Sequence, residues 1–280
     1  MKDELKADKR RMPAVAVNSA FSLPPSSLPK AALDDLKRER VPLAVLLLSA
    51  VVLVFAEYFF LPGSFRETFP ETTAKYAPGL IGLKATGPWW GALLPFLWWT
   101  CGLLLLWVAI PAIAARLLGF RLADLGLSAR GLLRKLPVYG LLYLLVMGGV
   151  LWASRQESFL GTYPMLKPRY AANWSWTLLL CWWAIYTVQF FCVEFFFRGF
   201  MLFTLEKRFG VAAVAIMVVP YCMIHFHKPL PEALGAIVAG TTLGWLALRT
   251  RSIWGGVICH AAVAISMDAL ALTQHKVGFP

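Results

Sequence analysis

The sequence predicts an all-α protein, a polytopic bundle of about seven transmembrane helices with a cytoplasmic N-terminus. Three observations predict it. Hydrophobic residues make up 59% of the 280 and charged residues only 15%, against roughly 45–50% and about 25% in soluble domains. Seven apolar runs recur along the chain, each close to the roughly 20 residues that a bilayer core requires once tilt is allowed for. The loops between them alternate between rich and poor in Lys and Arg, the pattern that sets orientation in membranes. Twelve Trp and 19 Phe suit aromatic belts at the two interfaces.

The net charge of +12 belongs to that topology. The expected partner is the lipid bilayer rather than nucleic acid. All five cysteines, Cys101, Cys181, Cys192, Cys222 and Cys259, lie in apolar runs without metal or redox spacing. They read as small hydrophobes.

Residues 1–40 read as a polar cytosolic tail with a Pro/Ser-rich patch at 22–29. The tail lacks the short apolar core and cleavage site of a signal peptide. A helix over 31–40, resting on anionic lipid, is expected there. N-terminal membrane helices and their loops occupy 41–173, a second group of helices 174–272, and a short tail 273–280. The apolar runs cover 41–61, 89–118, 136–152, 174–205, 211–225, 233–248 and 253–272. Pro95 and Pro111 interrupt the second run, which makes eight spans if the run divides. The fifth stops before Pro229 and Pro231, which forbid continuation. No internal repeat is visible, which argues against a transporter built on inverted repeats. On this reading 18 of the 27 Lys and Arg fall on the N-terminal side and eight on the other, with Arg198 inside the fourth run. The N-terminus is therefore expected in the cytoplasm and the C-terminus outside, and the expected setting is a prokaryotic cytoplasmic membrane.

An ionisable group in mid-bilayer costs about 2.5–3.5 kcal/mol on insertion scales, so each one calls for a role. Glu194 and Arg198 stand four apart in the fourth run, on one helical face. Taken alone they make a structural ion pair. His225 ends the fifth run and His260 lies in the seventh; a lone intramembrane His is often only a helix–helix hydrogen-bond partner. Depth groups them. Glu194 and His225 are each about 15 residues from the turn at 208–210, roughly 23 Å in at 1.5 Å per residue. His260, nine residues past Arg251, comes out about 13 Å in, a turn or two lower. A carboxylate and two imidazoles that converge in a membrane can activate water and stabilise an oxyanion. The same set could alternatively bind zinc. No metal is the preferred reading, because Arg198 one turn away opposes a cation at Glu194.

At these residues the sequence resembles the CPBP family, which includes CAAX prenyl endopeptidases, bacteriocin-processing and Abi immunity proteins and prokaryotic relatives. The Glu194-x-x-x-Arg198-Gly199 element carries the resemblance, with Tyr221-x-x-x-His225 and the later His260. So does the Gly235, Gly240, Gly244 stretch before Arg249-Thr-Arg-Ser-Ile-Trp254. The resemblance implies an intramembrane endopeptidase with Glu194, His225 and His260 catalytic and Arg198 in support. Its substrate would be a membrane-associated protein or peptide. Two positions depart from the family. Its motif opens with paired glutamates, where this chain has Val193; it continues His-x-x-x-Asn, where this chain has Ala264. The nearest polar residues that could substitute are Gln189 and Asp268. The departures support a second expectation, a catalytically degenerate relative that binds a membrane partner or acts as an immunity-type protein.

Overall fold

A computed structural model describes residues 28–171 and 173–277, and no strand occurs among them. The chain divides into two units between Arg40 and Val41. The first contains α1 (Leu28–Arg38), with Leu33 and Leu36 exposed and Lys37 and Arg38 in its last turn. This is the helix expected at 31–40, begun three residues earlier. Residues 1–27 of the tail lie outside the described residues.

The membrane helices begin with α2 (Arg40–Phe59), which buries Val45, Ser49, Val52 and Ala56. That spacing of three and four defines one face; the exposed leucines, valines and aromatics on the rest of the helix suit lipid. Two short helices, α3 (Ser64–Thr68) and α4 (Pro70–Tyr76), lead to the second run. It contains α5 (Leu94–Leu103), a π-helical stretch (Leu104–Ala109) and α6 (Ile110–Leu117). Pro95 and Pro111 fall in the first turns of α5 and α6, where proline is best tolerated. Between them the helix widens to the π register. The run therefore stays one continuous helical stretch, Trp89–Leu117, and does not split into two spans.

Next come α7 (Leu132–Ala153) and the short α8 (Glu157–Thr162). Ser175 caps α9 (Trp176–Glu194), its Oγ accepting from the Leu178 N–H at 3.2 Å. A second π stretch (Phe195–Leu202) and α10 (Phe203–Phe209) continue the same rod. Gly210, at φ +55°, turns the chain into α11 (Ala213–Met223). Then follow α12 (Leu230–Thr250) and α13 (Trp254–Gln274).

Among the described residues five stretches are long and apolar enough to cross a membrane: α2, Trp89–Leu117, α7, α12 and α13. At 11 residues, α11 is about half the length of a span. The rod from α9 to α10 forms the centre of the bundle. Phe195, Phe196, Phe197, Phe200 and Leu202 are all buried there, with Trp107 of the first π stretch stacked on Phe196.

Polar contacts gather the loops into two sets. In one, Lys135 donates to the Thr250 carbonyl (2.6 Å), Ser252 to the Ser128 carbonyl (2.7 Å) and Trp254 to the Leu127 carbonyl (2.8 Å), and Arg251 pairs with Glu206. In the other, His227 meets Glu57 (3.2 Å), Tyr163 donates to Glu232 (2.8 Å) and the Met165 N–H donates to Asp268 (2.9 Å).

Candidate active site

Three pieces of the chain build the site: the junction of α9 with its π stretch, the end of α11, and the first turns of α13. Glu194 is the last residue of α9 and Arg198 lies in the π turn after it. Both are buried, at 1% and 0% exposure. Arg198 Nη1 lies 3.1 Å from Glu194 Oε1. No guanidinium nitrogen meets hydrogen-bond geometry with an acceptor among the described residues. Its remaining support is the face of Tyr221, with the guanidinium carbon 4.1 Å from the ring centroid, a cation–π contact.

His260 reaches the same carboxylate oxygen from α13, Nδ1 3.2 Å from Glu194 Oε1. A carboxylate accepts, so Nδ1 carries the hydrogen and the lone pair lies on Nε2. Phe190 of α9 holds the imidazole, ring centroids 4.5 Å apart. Gly256, one turn before His260, brings the α13 backbone against the carboxylate. A methyl group there would overlap Glu194 Oε2.

His225 follows α11 in a turn. Its Nδ1 donates to the Tyr221 carbonyl at 2.9 Å, which again leaves Nε2 as the acceptor. No hydrogen bond or ion pair joins His225 to Glu194 or His260 among the described residues. Tyr221 stands between them, its ring 5.0 Å from that of His225 and 6.4 Å from that of His260. Thus Glu194, Arg198 and His260 are in direct contact, and His225 joins them through Tyr221. Among the described residues no group of three or more His, Cys, Asp or Glu is placed to hold a metal ion.

The other sequence candidates lie elsewhere. Asp268 is buried and accepts from Trp182 Nε1 (2.5 Å) and the Met165 N–H (2.9 Å). Gln189 is buried, and its side-chain oxygen has no partner among the described residues. Val193 and Ala264 are packed in apolar clusters. His227 is exposed beside Glu57. Sequence reasoning passed over Tyr221 and Gly256 as site residues. The aromatic four residues before His225 and the Gly-Gly pair before His260 were their signals.

The family model described as type II CAAX prenyl endopeptidase Rce1-like matches residues 174–266. Those residues form an Rce1-like domain of the CPBP protease family. The match holds Glu194, Arg198, His225 and His260 and covers about a third of the chain. No curated protein and no solved structure matches the chain. With its apolar spans, the chain is an integral membrane protein. Membership in a membrane protease family implies membrane-associated substrates in general.

Proposed function

We propose that this protein is an intramembrane endopeptidase that cuts a peptide bond near a membrane-anchored, prenylated or leader segment. The observation that carries the reading is the Glu194–His260 contact inside an Rce1-like domain. Glu194 is almost inaccessible, whereas His260 keeps 18% of its side chain exposed, so the imidazole is the group that meets water. Glu194 accepts from Nδ1–H and fixes the tautomer. Nε2 takes a proton from water as the water oxygen bonds to the scissile carbonyl carbon. The same Nε2 then returns that proton to the departing amine nitrogen as the C–N bond breaks. His225, its Nδ1 committed to a carbonyl, offers Nε2 as a second acceptor that orients the water. Proton transfer on this reading belongs to His260, and Glu194 orients it.

The topology that goes with it has seven spans, with α9–α10 crossing inside the bundle, the short α11 completing its crossing through the turn that follows it, and the N-terminus in the cytoplasm of a prokaryotic cell. A second reading, a non-catalytic relative that binds a membrane partner, is favoured by Val193 and Ala264, where apolar packing replaces the family's polar residues. Reconstitution in liposomes with a quenched-fluorescent farnesylated CAAX peptide, and with leader-peptide substrates, decides between them. Cleavage by wild type that disappears in His260→Ala supports the protease. A cellular phenotype left intact by both Glu194→Gln and His260→Ala would sink it in favour of the binding protein.

A further inference from the structure

The His225 turn needs something to hold it. Phe226 and His227 beside it are exposed, and among the described residues the His225 ring bonds to its own helix. The turn leads into α12, while His260 is on α13; these two helices meet at 251–253 and touch each other little elsewhere. The segment 157–171 bridges them at the end remote from residues 251–253. Phe159, Tyr163 and Leu166 of this segment are buried, and Phe159 and Tyr163 cluster with Ala271 and Met267 of α13.

Tyr163 is the middle of the bridge. Its hydroxyl donates to Glu232, 2.8 Å from each carboxylate oxygen, and accepts from Lys228 Nζ at 2.8 Å. Lys228 and Glu232 also pair with each other at 3.5 Å. They stand three and seven residues past His225. On the other side the Tyr163 carbonyl accepts from His275 Nε2 at 3.3 Å, and Met165, two residues on, donates its N–H to Asp268. Asp268 is eight residues past His260 on the same helix. Thus one short segment bonds to the residues just beyond His225 and to the helix that carries His260, two turns and more past it. Burial keeps the phenol protonated, its pKa raised well above the ordinary value by desolvation and then by the Tyr186 and Glu232 charges. It therefore remains a donor at every physiological pH.

We propose that Tyr163 is a positioning residue, which, through Glu232 and Lys228, sets His225 over the Glu194–His260 pair. The proposal rests on the protease reading for its catalytic consequence but not for its geometry. Displacement of a catalytic group by about 1 Å can cost a hundredfold in rate, and a mutually bonded polar network anchored on a buried phenol is a rigid way to prevent it.

Two readouts on the full chain in nanodiscs test it. Hydrogen exchange of the backbone amides at 224–232 should speed by about tenfold or more in Tyr163→Phe, with α9 unaffected. Glu232→Gln, which keeps an acceptor, should give a smaller change in the same direction. On the farnesylated CAAX peptide, Tyr163→Phe should lower kcat, referred to the concentration of folded protein, by about tenfold or more and leave KM unchanged; referring the rate to folded protein removes the contribution of a general loss of fold. Unchanged exchange in both variants overturns the proposal. So does wild-type kcat in Tyr163→Phe when His260→Ala is inactive. If His260→Ala also cleaves like wild type, the protease reading falls instead, and exchange alone decides whether Tyr163 holds the turn.

Discussion

His260 Nδ1 and Arg198 Nη1 approach the same oxygen of Glu194, at 3.2 and 3.1 Å. One buried carboxylate oxygen thus joins α13 to the π stretch after α9, and function and stability meet at that atom. Glu194→Gln should lower cleavage by about 10²–10⁴. It should also lower stability by about 3–5 kcal/mol, since it leaves Arg198 buried without its counter-charge. Glu194→Gln with Arg198→Met should recover much of the stability and none of the activity. Thermal unfolding in detergent beside the cleavage assay separates the two effects; full activity in the double variant would refute the proposed roles.

Glycine 256 is required by contact. In Gly256→Ala the new methyl meets the Glu194 carboxylate, and α13 must move away, taking His260 with it. Activity should fall at least tenfold, by the same sensitivity of rate to placement. Gly235 in α12 has open space around its Cβ position, so Gly235→Ala should be active and more stable by about 0.5–1 kcal/mol. Equal behaviour of the two variants would contradict this account.

Restoration of the family residues should do harm. Val193 is 2% exposed and Ala264 5% exposed, each inside an apolar cluster. Val193→Glu places a carboxylate among packed aromatics, where an unpaired charge is expensive. Folded yield of Val193→Glu and of Val193→Glu/Ala264→Asn should drop well below wild type in a membrane-fraction assay. A gain of cleavage in the pair would instead mark the natural chain as a degenerate enzyme.

Asp268 holds the 163–171 loop to the bundle. Asp268→Ala strands the Trp182 and Met165 donors, at about 1–3 kcal/mol each. Trp182→Phe in that background should cost less than Trp182→Phe alone, a coupling that a double-mutant cycle on unfolding free energy reads directly.

Lys167 supplies a pH test outside the membrane. Burial, then the neighbouring Arg169, lowers its pKa from 10.5 to about 8. The unfolded chain therefore binds more protons than the folded one between pH 8 and 10.5, and this residue's share of stability rises with pH across that window. The difference in unfolding temperature between wild type and Lys167→Met should shift in favour of wild type from pH 8 to pH 10. A difference independent of pH would show an ordinary lysine.

The sequence was most informative where chemistry and period coincide. Four-residue spacing put Glu194 and Arg198 on one face, and composition alone implied the membrane helices. Depth arithmetic placed His260 about 10 Å below Glu194, yet the two are bonded. The arithmetic measured from two turns as if they were level. Arg251 in fact pairs with Glu206, only 12 residues from Glu194, so the levels differ by about 5 Å, less than one helical turn. The Tyr163–Glu232 bond had no sequence signal, since its partners are 69 residues apart in segments without periodicity. Nor did the π stretches, which arise from tertiary packing rather than from local preference.

The order of synthesis gives Arg198 a further meaning. Among the described residues its guanidinium has Glu194 and the face of Tyr221 beside it, and His260 completes the cluster from α13. When the α9 rod leaves the ribosome, only Glu194 exists. Tyr221 follows 23 residues later and His260 62 residues after Arg198. The nascent helix must therefore carry a charge pair into lipid, or wait at the insertion machinery, until α13 arrives. A chain cut short before α13 exposes that pair, and membrane quality control then has a polar mark by which to recognise an unfinished molecule.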